Sequence, residues 1–429
     1  MLSLPDAEPT LRRRAELLAE ERRQLLAIPA ELYTAHAELL SRAYAAWLAA
    51  KEANDFSLLA GPLKEVIADA VRFAGLRHPE LPVYDAALSE YEQGLTADTL
   101  TPFFDLMKRE LTPLILELGS RPAPEDGFLR GYPAWQQRRF AEGLTDLLGL
   151  DRSRCALAET EHPFTAFTSR SQVRLTTHYH ESDLSRSMFS VLHEGGHSLY
   201  RLNLPEALTA TAAAQPASAA VDESQSRFYE NIIGRSLPFC RAVLPLMRSC
   251  FPELPRSVTP EALYRAVNAV RPGPIRLTAD ELTYPMHILL RYELERALLE
   301  GSLTVADLPG EWNRLCHEYL GVTVTEDRLG VLQDMHWPGG LIGYFPGYAL
   351  GSAYGPQLLA RMEADTPDLW ASVERGDLSP ATDWLRRCIH CQGRLLPASE
   401  LLTRAFGGPF RPQVCVDYLK KKYTALYEL

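Results

Sequence analysis

Apolar residues recur three and four positions apart along most of the chain, within segments rich in Ala, Leu, Glu and Arg. This spacing places the apolar side chains on one face of a helix, and these residue types favour helix formation. The clearest predicted helices cover residues 11–26, 30–53, 58–74, 101–118, 134–148 and 184–202. Pro and Gly cluster in the intervals between predicted helices, at 119–131, 205–216, 252–260, 272–274 and 338–346. The pattern therefore predicts a mainly helical protein.

One segment has a different pattern. Residues 164–179 alternate between apolar and polar positions and are rich in Thr, Phe and Val, with a turn predicted at 169–171. We expect a short hairpin here, and hence one small antiparallel β-sheet in an otherwise α-helical body.

Composition and charge narrow the classes of function. The 429 residues are 46% hydrophobic and 23% charged, which is typical of a globular protein with a sizeable core. No apolar stretch of about 18 residues is present and the N-terminal segment is charged, so we expect a cytoplasmic protein without a membrane span. The formal net charge of −11 argues against binding to nucleic acid or to an anionic membrane.

The cysteines give no indication of a disulfide framework. There are 7 of them, an odd number spread through a long chain, so reduced thiols are expected. Cys388 and Cys391 form a C-x-x-C pair, but neither a second such pair for zinc nor a βαβ setting for redox chemistry is visible.

The strongest chemical signal is an H-E-x-x-H motif within the predicted helix at 184–202. His193 and His197 are four residues apart, which places both imidazoles on one helix face, as two ligands of a tetrahedral zinc ion require. Glu194 lies one position further round the helix and could serve as general base for the attacking water. Gly195 and Gly196 destabilise a helix, so another part of the chain is expected to approach their backbone closely.

Catalytic zinc commonly takes a third protein ligand. A second helical segment at 217–236 carries Asp222, Glu223 and Glu230, and Glu223 is the best placed of the three. The alternative is that these carboxylates form an ordinary charged helix face, with Arg227 four residues after Glu223.

Several further motifs occur in a fixed order. They are His-Pro-Phe at 162–164, Glu-Ser-Gln-Ser-Arg at 223–227, Ile-Arg at 275–276, Ala-Asp-Glu-Leu-Thr-Tyr at 279–284 and Gly-Val-Leu-Gln-Asp-Met-His-Trp at 330–337. With the H-E-x-x-H motif, they make the chain from about residue 26 onward resemble the M32 family of zinc carboxypeptidases, the Taq carboxypeptidase-like group. The resemblance implies one peptidase domain over 1–429, with an N-terminal helical part at about 1–150 and a zinc-site and groove part at about 151–429. It also implies a two-lobed helical body with a deep central groove, similar to angiotensin-converting enzyme and neurolysin.

The resemblance implies a function and a set of ligands. Zinc would be held by His193, His197 and Glu223, with Glu194 catalytic, and cobalt could substitute on such ligands. The substrates would be peptides with a free C-terminal carboxylate, from which single residues are released with broad specificity and poor activity on C-terminal Pro. Homodimerisation is also expected from the family.

Other residues receive roles from the same resemblance. His336, Tyr344 and Tyr348 are expected to stabilise the oxyanion, because angiotensin-converting enzyme uses a His and a Tyr in this way. The alternative for the tyrosines is that they are core aromatic residues. His162 is expected to shape the substrate pocket.

Arg276 is assigned by the resemblance to the terminal carboxylate of the substrate, which a guanidinium can grip through two parallel N–H bonds. The alternative is a structural ion pair with Asp280 or Glu281. Arg174, on the predicted hairpin, faces either the groove or solvent.

The chain departs from the family pattern in three ways. Asp222 stands where the family usually has His, so it could change the surroundings of the ligands or compete as a ligand. Gln172 replaces an Asp in the family's Asp-x-Arg-Ile-Thr motif. From the resemblance we also expect that an N-terminal helical portion, which helps cover the groove in longer relatives, is missing here.

Two other functions are compatible with the same residues. One is an oligoendopeptidase with the same zinc chemistry, and the other is a peptide-binding protein that retains the zinc site without turnover. Glu194 argues against the second, since a purely structural zinc site has no use for an adjacent base.

Overall fold

Helices form most of the protein, as the spacing of its apolar residues predicts. The computed structural model describes residues 8–169 and 172–429. In chain order, its helices and strands are α1 (Pro9–Leu26), α2 (Ala30–Ala53), α3 (Ser57–Arg77), α4 (Val83–Ser89), α5 (Ala97–Gly119), α6 (Ala134–Leu147), β1 (Cys155–Glu159), β2 (Thr165–Ser169), β3 (Gln172–Thr177), α7 (Leu184–Leu202), α8 (Ala219–Arg227), α9 (Leu237–Cys250), α10 (Pro260–Val267), α11 (Tyr284–Glu300), α12 (Leu308–Leu320), α13 (Phe345–Asp365), α14 (Leu369–Glu374), α15 (Ser379–Cys388), α16 (Ala398–Phe406) and α17 (Pro412–Tyr427).

Local residues determine where several helices begin and end. α2 has its predicted bounds and stops at Asn54, which adopts the left-handed conformation at φ 56° that commonly ends a helix. α7 also has its predicted bounds, and its first turn is capped by Asp183, whose side chain accepts a hydrogen bond from the backbone N–H of Ser185.

The predicted helix at 217–236 changes its geometry part of the way along. α8 ends at Arg227 and the chain continues as a π-helix over Phe228–Ile233. A π-helical turn holds more residues than an α-helical turn and often occurs at functional sites. No residue type in this segment signals that change.

The sheet is mixed, which corrects the expected antiparallel sheet. β2 and β3 pair antiparallel, as the hairpin prediction requires, with Ala166 opposite Arg174. β1, which the sequence pattern did not reveal, pairs parallel with β3 and places Ala156 opposite the same Arg174. β3 is therefore the central strand, and β2 lies at one edge of this sheet. Of the predicted turn at 169–171, Arg170 and Ser171 lie outside the described residues.

The chain forms two compact units. The first unit contains the chain up to Arg121, Ser218–Ala220 and Val270–Ala349. The second unit contains Pro122–Ala217, Val221–Ala269 and Leu350–Leu429. The central groove and the division at about residue 150 stay predictions.

The helices given above include no candidate for a transmembrane segment. Within the described part of the chain, none of them has an apolar stretch long enough to cross a bilayer.

Within the second unit, α7 packs against β3 and α6. Its apolar residues Leu184, Met188, Val191, Leu192 and Leu199 are all buried, as the periodic pattern predicts. α7 therefore has a fixed position on the sheet.

α7 and α8 cross in direct backbone contact at Gly196. A Cβ atom added to Gly196 would lie 2.5 Å from the backbone oxygen of Gln225 and 2.7 Å from the Cα atom of Ser226. At Gly195, an added Cβ would collide with the side chain of Leu148. The close approach expected from the two glycines is confirmed, and at Gly196 the approaching group is the backbone of α8.

Replacing Gly196 by Ala tests this crossing. Because the opposing atoms belong to a backbone, they cannot move aside as a flexible side chain can, and Gly196→Ala should destabilise the protein by about 1–3 kcal/mol. Gly75→Ala is the matched control, since Gly75 also lies in a helix but has nothing within 4 Å of the added Cβ. Chemical denaturation should show the control unchanged or more stable by about 0.5–1 kcal/mol. Equal stability of the two variants would contradict the close crossing.

Candidate active site

Three side chains of the second unit direct potential ligand atoms towards one another. The Nε2 atoms of His193 and His197 lie 3.9 and 3.8 Å from Oε2 of Glu223. Their ligand atoms all lie within 4.8 Å of one another. α7 supplies both imidazoles and α8 supplies the carboxylate, so the crossing at Gly196 brings the three residues together.

Both histidines are oriented through their other ring nitrogen. Nδ1 of His193 lies 2.8 Å from Oε2 of Glu230, and Nδ1 of His197 lies 3.0 Å from Oδ1 of Asp222. A carboxylate at Nδ1 accepts a hydrogen bond from Nδ1–H, so that in the neutral imidazole Nε2 keeps its lone pair available to a metal. This arrangement orients both rings towards Glu223.

Each of these carboxylates also pairs with an arginine. Arg227 donates to Glu230 at 3.1 Å and, through Nε, to Oε1 of Glu223 at 2.7 Å. Burial acts to raise the pKa of Glu230, but Arg227 and His193 outweigh it and lower that pKa to about 2. Glu230 is therefore ionised and accepts a hydrogen bond from Nδ1–H of His193.

Asp222 has the same arrangement beside His197. Its Oδ2 accepts a hydrogen bond from Arg201 at 3.0 Å. Burial acts to lower the pKa of His197, but Asp222 raises it to about 9. A metal that binds below that pH must therefore displace a proton from His197. Asp222, at the position where the family usually has His, therefore orients the imidazole of His197 through Nδ1 and leaves Nε2 directed towards Glu223.

The three ligand atoms fit a divalent metal. Ligand atoms held about 2.0–2.1 Å from one tetrahedral ion lie about 3.3–3.5 Å apart, so the observed atoms need to close by roughly 1.5 Å or less. The donor set of two imidazole nitrogens and one carboxylate oxygen is the set found in catalytic zinc sites of the His₂Glu type. Both histidines already have their Nδ1 atoms bound by carboxylates, as metal ligands usually do.

Glu194 lies on α7 beside these ligands and is held by the sheet. The hydroxyl of Thr165, the first residue of β2, lies 2.7 Å from Oε2 of Glu194 and 2.9 Å from the Glu194 backbone oxygen. The edge strand therefore positions the candidate base.

Arg276 belongs to a buried charged cluster in the first unit. It donates to Oδ1 of Asp334 through Nε at 3.2 Å and through Nη2 at 2.9 Å, and Nη1 lies 3.3 Å from the hydroxyl of Tyr284. The fully buried Arg291 donates from Nε to Oδ2 of the same carboxylate at 2.7 Å. The ion-pair partner of Arg276 is thus Asp334, and two guanidinium groups share this one carboxylate.

His336 and the two expected tyrosines lie in the same cluster. Nε2 of His336 is 3.2 Å from the hydroxyl of Tyr348, and the ring of Tyr344 is 5.8 Å from the His336 ring. Burial, together with Arg276, lowers the pKa of His336 to about 4. His336 is therefore neutral near pH 7 and carries one N–H donor.

The remaining two predicted residues lie in the second unit, and both are exposed. Arg174 is exposed on the central strand β3, and His162 is exposed in the segment between β1 and β2. The backbone oxygen of His162 accepts a hydrogen bond from Thr160.

Sequence reasoning missed most of the groups that surround the predicted residues. The spacing of Glu223, Arg227 and Glu230 indicates one charged helix face, but that Glu230 meets Nδ1 of His193 requires the fold. Asp334 and Arg291 lie in or near the quoted motifs, yet no spacing could reveal that they meet Arg276. The role of Thr165 depends on how β2 packs on α7, which requires the fold.

The fold and the site together define a class of protein. Two imidazoles and a glutamate on one helix, with a second glutamate on the next, form an H-E-x-x-H metallopeptidase site in a mainly helical chain. A family model described as Carboxypeptidase Taq (M32) metallopeptidase matches residues 3–423, and the chain belongs to this family of metallocarboxypeptidases.

Individual relatives agree with the family assignment. The chain is 36% identical over 426 residues to Carboxypeptidase 1 of Bacillus subtilis, covering 99% of this chain and 85% of the relative. It is 40% identical over 412 residues to Thermostable carboxypeptidase 1 of Thermus thermophilus, covering 94% and 81%. The crystal structure of the M32 carboxypeptidase from Deinococcus radiodurans matches with a TM-score of 0.97 at 35% identity, covering 100% of this chain and 86% of that one.

Two neighbouring carboxylates provide a test of the ligand set. Glu223→Ala removes the oxygen that faces both Nε2 atoms, so the variant should lose zinc on dialysis. Asp222→Ala should keep zinc, because Asp222 contacts Nδ1 of His197, but with an affinity about 10–100-fold weaker. Metal analysis after dialysis, followed by titration against a competing chelator, measures both effects. Zinc retained by Glu223→Ala and lost by Asp222→Ala would reverse the assignment.

Proposed function

We propose that this protein is a zinc-dependent carboxypeptidase that releases single amino acids from the C-termini of peptides, with broad specificity and poor activity on C-terminal Pro. The observation that carries the proposal is the convergence of His193, His197 and Glu223, with Glu194 held beside them by Thr165. Cobalt is expected to substitute for zinc on these ligands.

The chemistry divides between the metal and the protein. When bound, zinc supplies a Lewis acid that polarises the scissile carbonyl group and lowers the pKa of the attacking water towards about 7. Glu194 accepts the proton of that water and passes it to the nitrogen of the leaving amine. The hydrogen bond from Thr165 fixes one carboxylate oxygen of Glu194, which limits the rotation of the group that moves the proton.

The oxyanion that forms during hydrolysis requires hydrogen-bond donors. We assign this role to His336, Tyr344 and Tyr348. The neutral state of His336 supports the assignment, because a neutral imidazole held against a tyrosine hydroxyl is a fixed donor that brings no charge of its own.

Glu194→Gln tests the proposed base. The amide keeps the shape of the side chain but cannot accept the proton, so kcat should fall by at least 10²–10⁴-fold while zinc content is unchanged. The measurement is the release of amino acids from a set of peptides of increasing length, with and without a chelator. The wild-type protein should release single amino acids and lose activity with the chelator. Peptide fragments as products would instead indicate an oligoendopeptidase, and a fully active Glu194→Gln would exclude Glu194 as the base.

We assign Arg276 to the C-terminal carboxylate of the substrate. Two guanidinium groups share one carboxylate in its cluster, and this excess of buried positive charge favours a further anion. His162 is assigned to the substrate pocket. Arg174, on β3 of the sheet, is the alternative to Arg276 for binding the substrate carboxylate. In the same sheet, the edge strand β2 offers backbone groups to an extended peptide.

Amidated peptides test the role of Arg276. An amide lacks the negative charge of the terminal carboxylate that Arg276 would bind in addition to Asp334, so amidated peptides should be poor substrates. Arg276→Ala should slow the cleavage of free-acid peptides by about 30-fold or more and narrow their advantage over amides, with zinc content unchanged. Asp334 keeps Arg291 as its partner in this variant, which limits the disturbance of the cluster.

Arg276→Lys is the conservative control. A point charge cannot reproduce the two-pronged grip, so this variant should recover only part of the rate. If Arg276→Ala keeps the full preference for the free acid, Arg174 or Arg291 holds the carboxylate and the assignment is wrong, while the zinc chemistry stands.

Homodimerisation stays a prediction from the family resemblance.

A further inference from the structure

The C-x-x-C segment contains a histidine that has no place in the chemistry above. His390 lies between Cys388 and Cys391, in a 3-10 turn directly after α15, and its side chain is fully buried. In the second unit, His193 and His197 are candidate metal ligands and Glu194 is the candidate base. The imidazole of His390 has neither role. A fully buried imidazole normally has specific partners for both nitrogens.

Both nitrogens of His390 have a partner, and the partners belong to different helices. Nε2 lies 2.9 Å from Oε1 of Gln225 in α8. Nδ1 lies 3.2 Å from Nδ2 of Asn203, the residue that follows the end of α7. The ring also stacks on Tyr200 of α7, at 4.9 Å between centroids and an interplanar angle of 28°. His390 is therefore bonded to both of the helices that carry the candidate metal ligands.

The tautomer of His390 follows from its partners. The amide nitrogen of Asn203 can only donate, so Nδ1 accepts, and Nε2–H donates to the carbonyl oxygen of Gln225. Burial lowers the pKa of His390 to about 3, so the imidazole stays neutral and keeps this arrangement across the physiological range.

The bond to Gln225 reaches the helix crossing. Gln225 is fully buried, and its backbone oxygen is the atom that approaches Gly196 most closely. It lies two residues after Glu223, and Gly196 lies one residue before His197. A change in the position of Gln225 therefore shifts Glu223 relative to the two histidines.

The turn that carries His390 is itself fixed. The backbone N–H of Arg394 donates to the backbone oxygen of Ala213 at 3.0 Å. Gly393 has φ +51°, and a Cβ atom there would collide with that same oxygen. The position of the imidazole is thus set by its own segment as well as by α7 and α8.

We propose that His390 is a positioning residue that ties α7 to α8 and so sets the spacing of His193, His197 and Glu223. The inference rests on the proposed metal site, and it assigns a role to a segment outside the residues that bind metal or substrate. Its consequence is that zinc affinity depends on the hydrogen bond between His390 and Gln225.

Three substitutions separate the contacts of His390. His390→Phe keeps a stacked ring but loses both hydrogen bonds, and zinc should bind about 10-fold more weakly. In His390→Gln, the side-chain amide can take the place of Nε2–H and donate to Gln225, so it should recover most of the affinity. In His390→Asn, the shorter amide can replace only Nδ1, so it should bind zinc as weakly as His390→Phe.

Cys391→Ser is the matched control. It alters the same turn, but the side-chain sulfur donates to the backbone oxygen of Arg387 and accepts from the side chain of Gln392, both in or next to the same turn, and takes no part in the bond between His390 and Gln225. Its zinc affinity should equal that of the wild type.

The measurements are the zinc dissociation constant, by competition with a chelator, and the rise in Tm caused by zinc. If His390 is merely structural, its replacement should lower the Tm of zinc-free and zinc-loaded protein equally, so that the increase in Tm on zinc binding is unchanged. If His390 positions the ligands, its replacement should make that increase in Tm smaller. A changed cobalt absorption spectrum in His390→Phe would further support distorted ligand geometry.

The proposal is overturned if His390→Phe binds zinc as the wild type does, or if His390→Gln and His390→Asn bind zinc equally well. If His390→Phe does not fold, the comparison of the Gln and Asn variants decides. A wild-type protein that binds no zinc would overturn the metal site itself, which distinguishes the two failures.

Discussion

The close contact of α7 and α8 at Gly196 is the constraint on which the candidate site depends. α7 carries both histidines and the candidate base, and α8 carries the third ligand, so the distance between these helices sets the distances among the ligand atoms. Only a residue without a side chain permits the backbone of Gln225 to come so near. The two glycines of H-E-G-G-H lower the helix propensity of α7, and the buried apolar face of this helix offsets that loss through packing against β3 and α6.

Charge pairing is the second constraint. Asp222, Glu223 and Glu230 are three buried or half-buried carboxylates beside one another, and such a group is stable only when its charges are compensated. Arg201 and Arg227 supply positive charge, and the two histidines donate from Nδ1. The π-helical turn that follows α8 places Glu230 where it meets both Arg227 and His193. The first unit shows the converse pattern, since there one carboxylate serves two guanidinium groups.

The sequence predicts those parts of the structure that depend on local spacing. The bounds of α2 and α7, the pairing of β2 with β3 and the need for a close approach at Gly196 all follow from residues near one another in the chain. β1 was missed because Cys155–Glu159 is rich in Ala and lacks β-branched residues, so it joins the sheet through its pairing with β3 rather than through its own propensity. Asp334 and His390 were missed as partners because their contacts join residues far apart in sequence. The departure at Asp222 could be recognised from the motif, but its role required the structure, which shows it bonded to Nδ1 of His197.

The central claim is that His193, His197 and Glu223 hold one zinc ion beside Glu194. The most direct measurement is an anomalous difference map from crystals of the zinc-loaded protein, collected on both sides of the zinc absorption edge. The account predicts one strong peak between Nε2 of His193, Nε2 of His197 and Oε2 of Glu223. A peak that is absent from this position, or that is bound instead by Asp222 or Glu230, would contradict it.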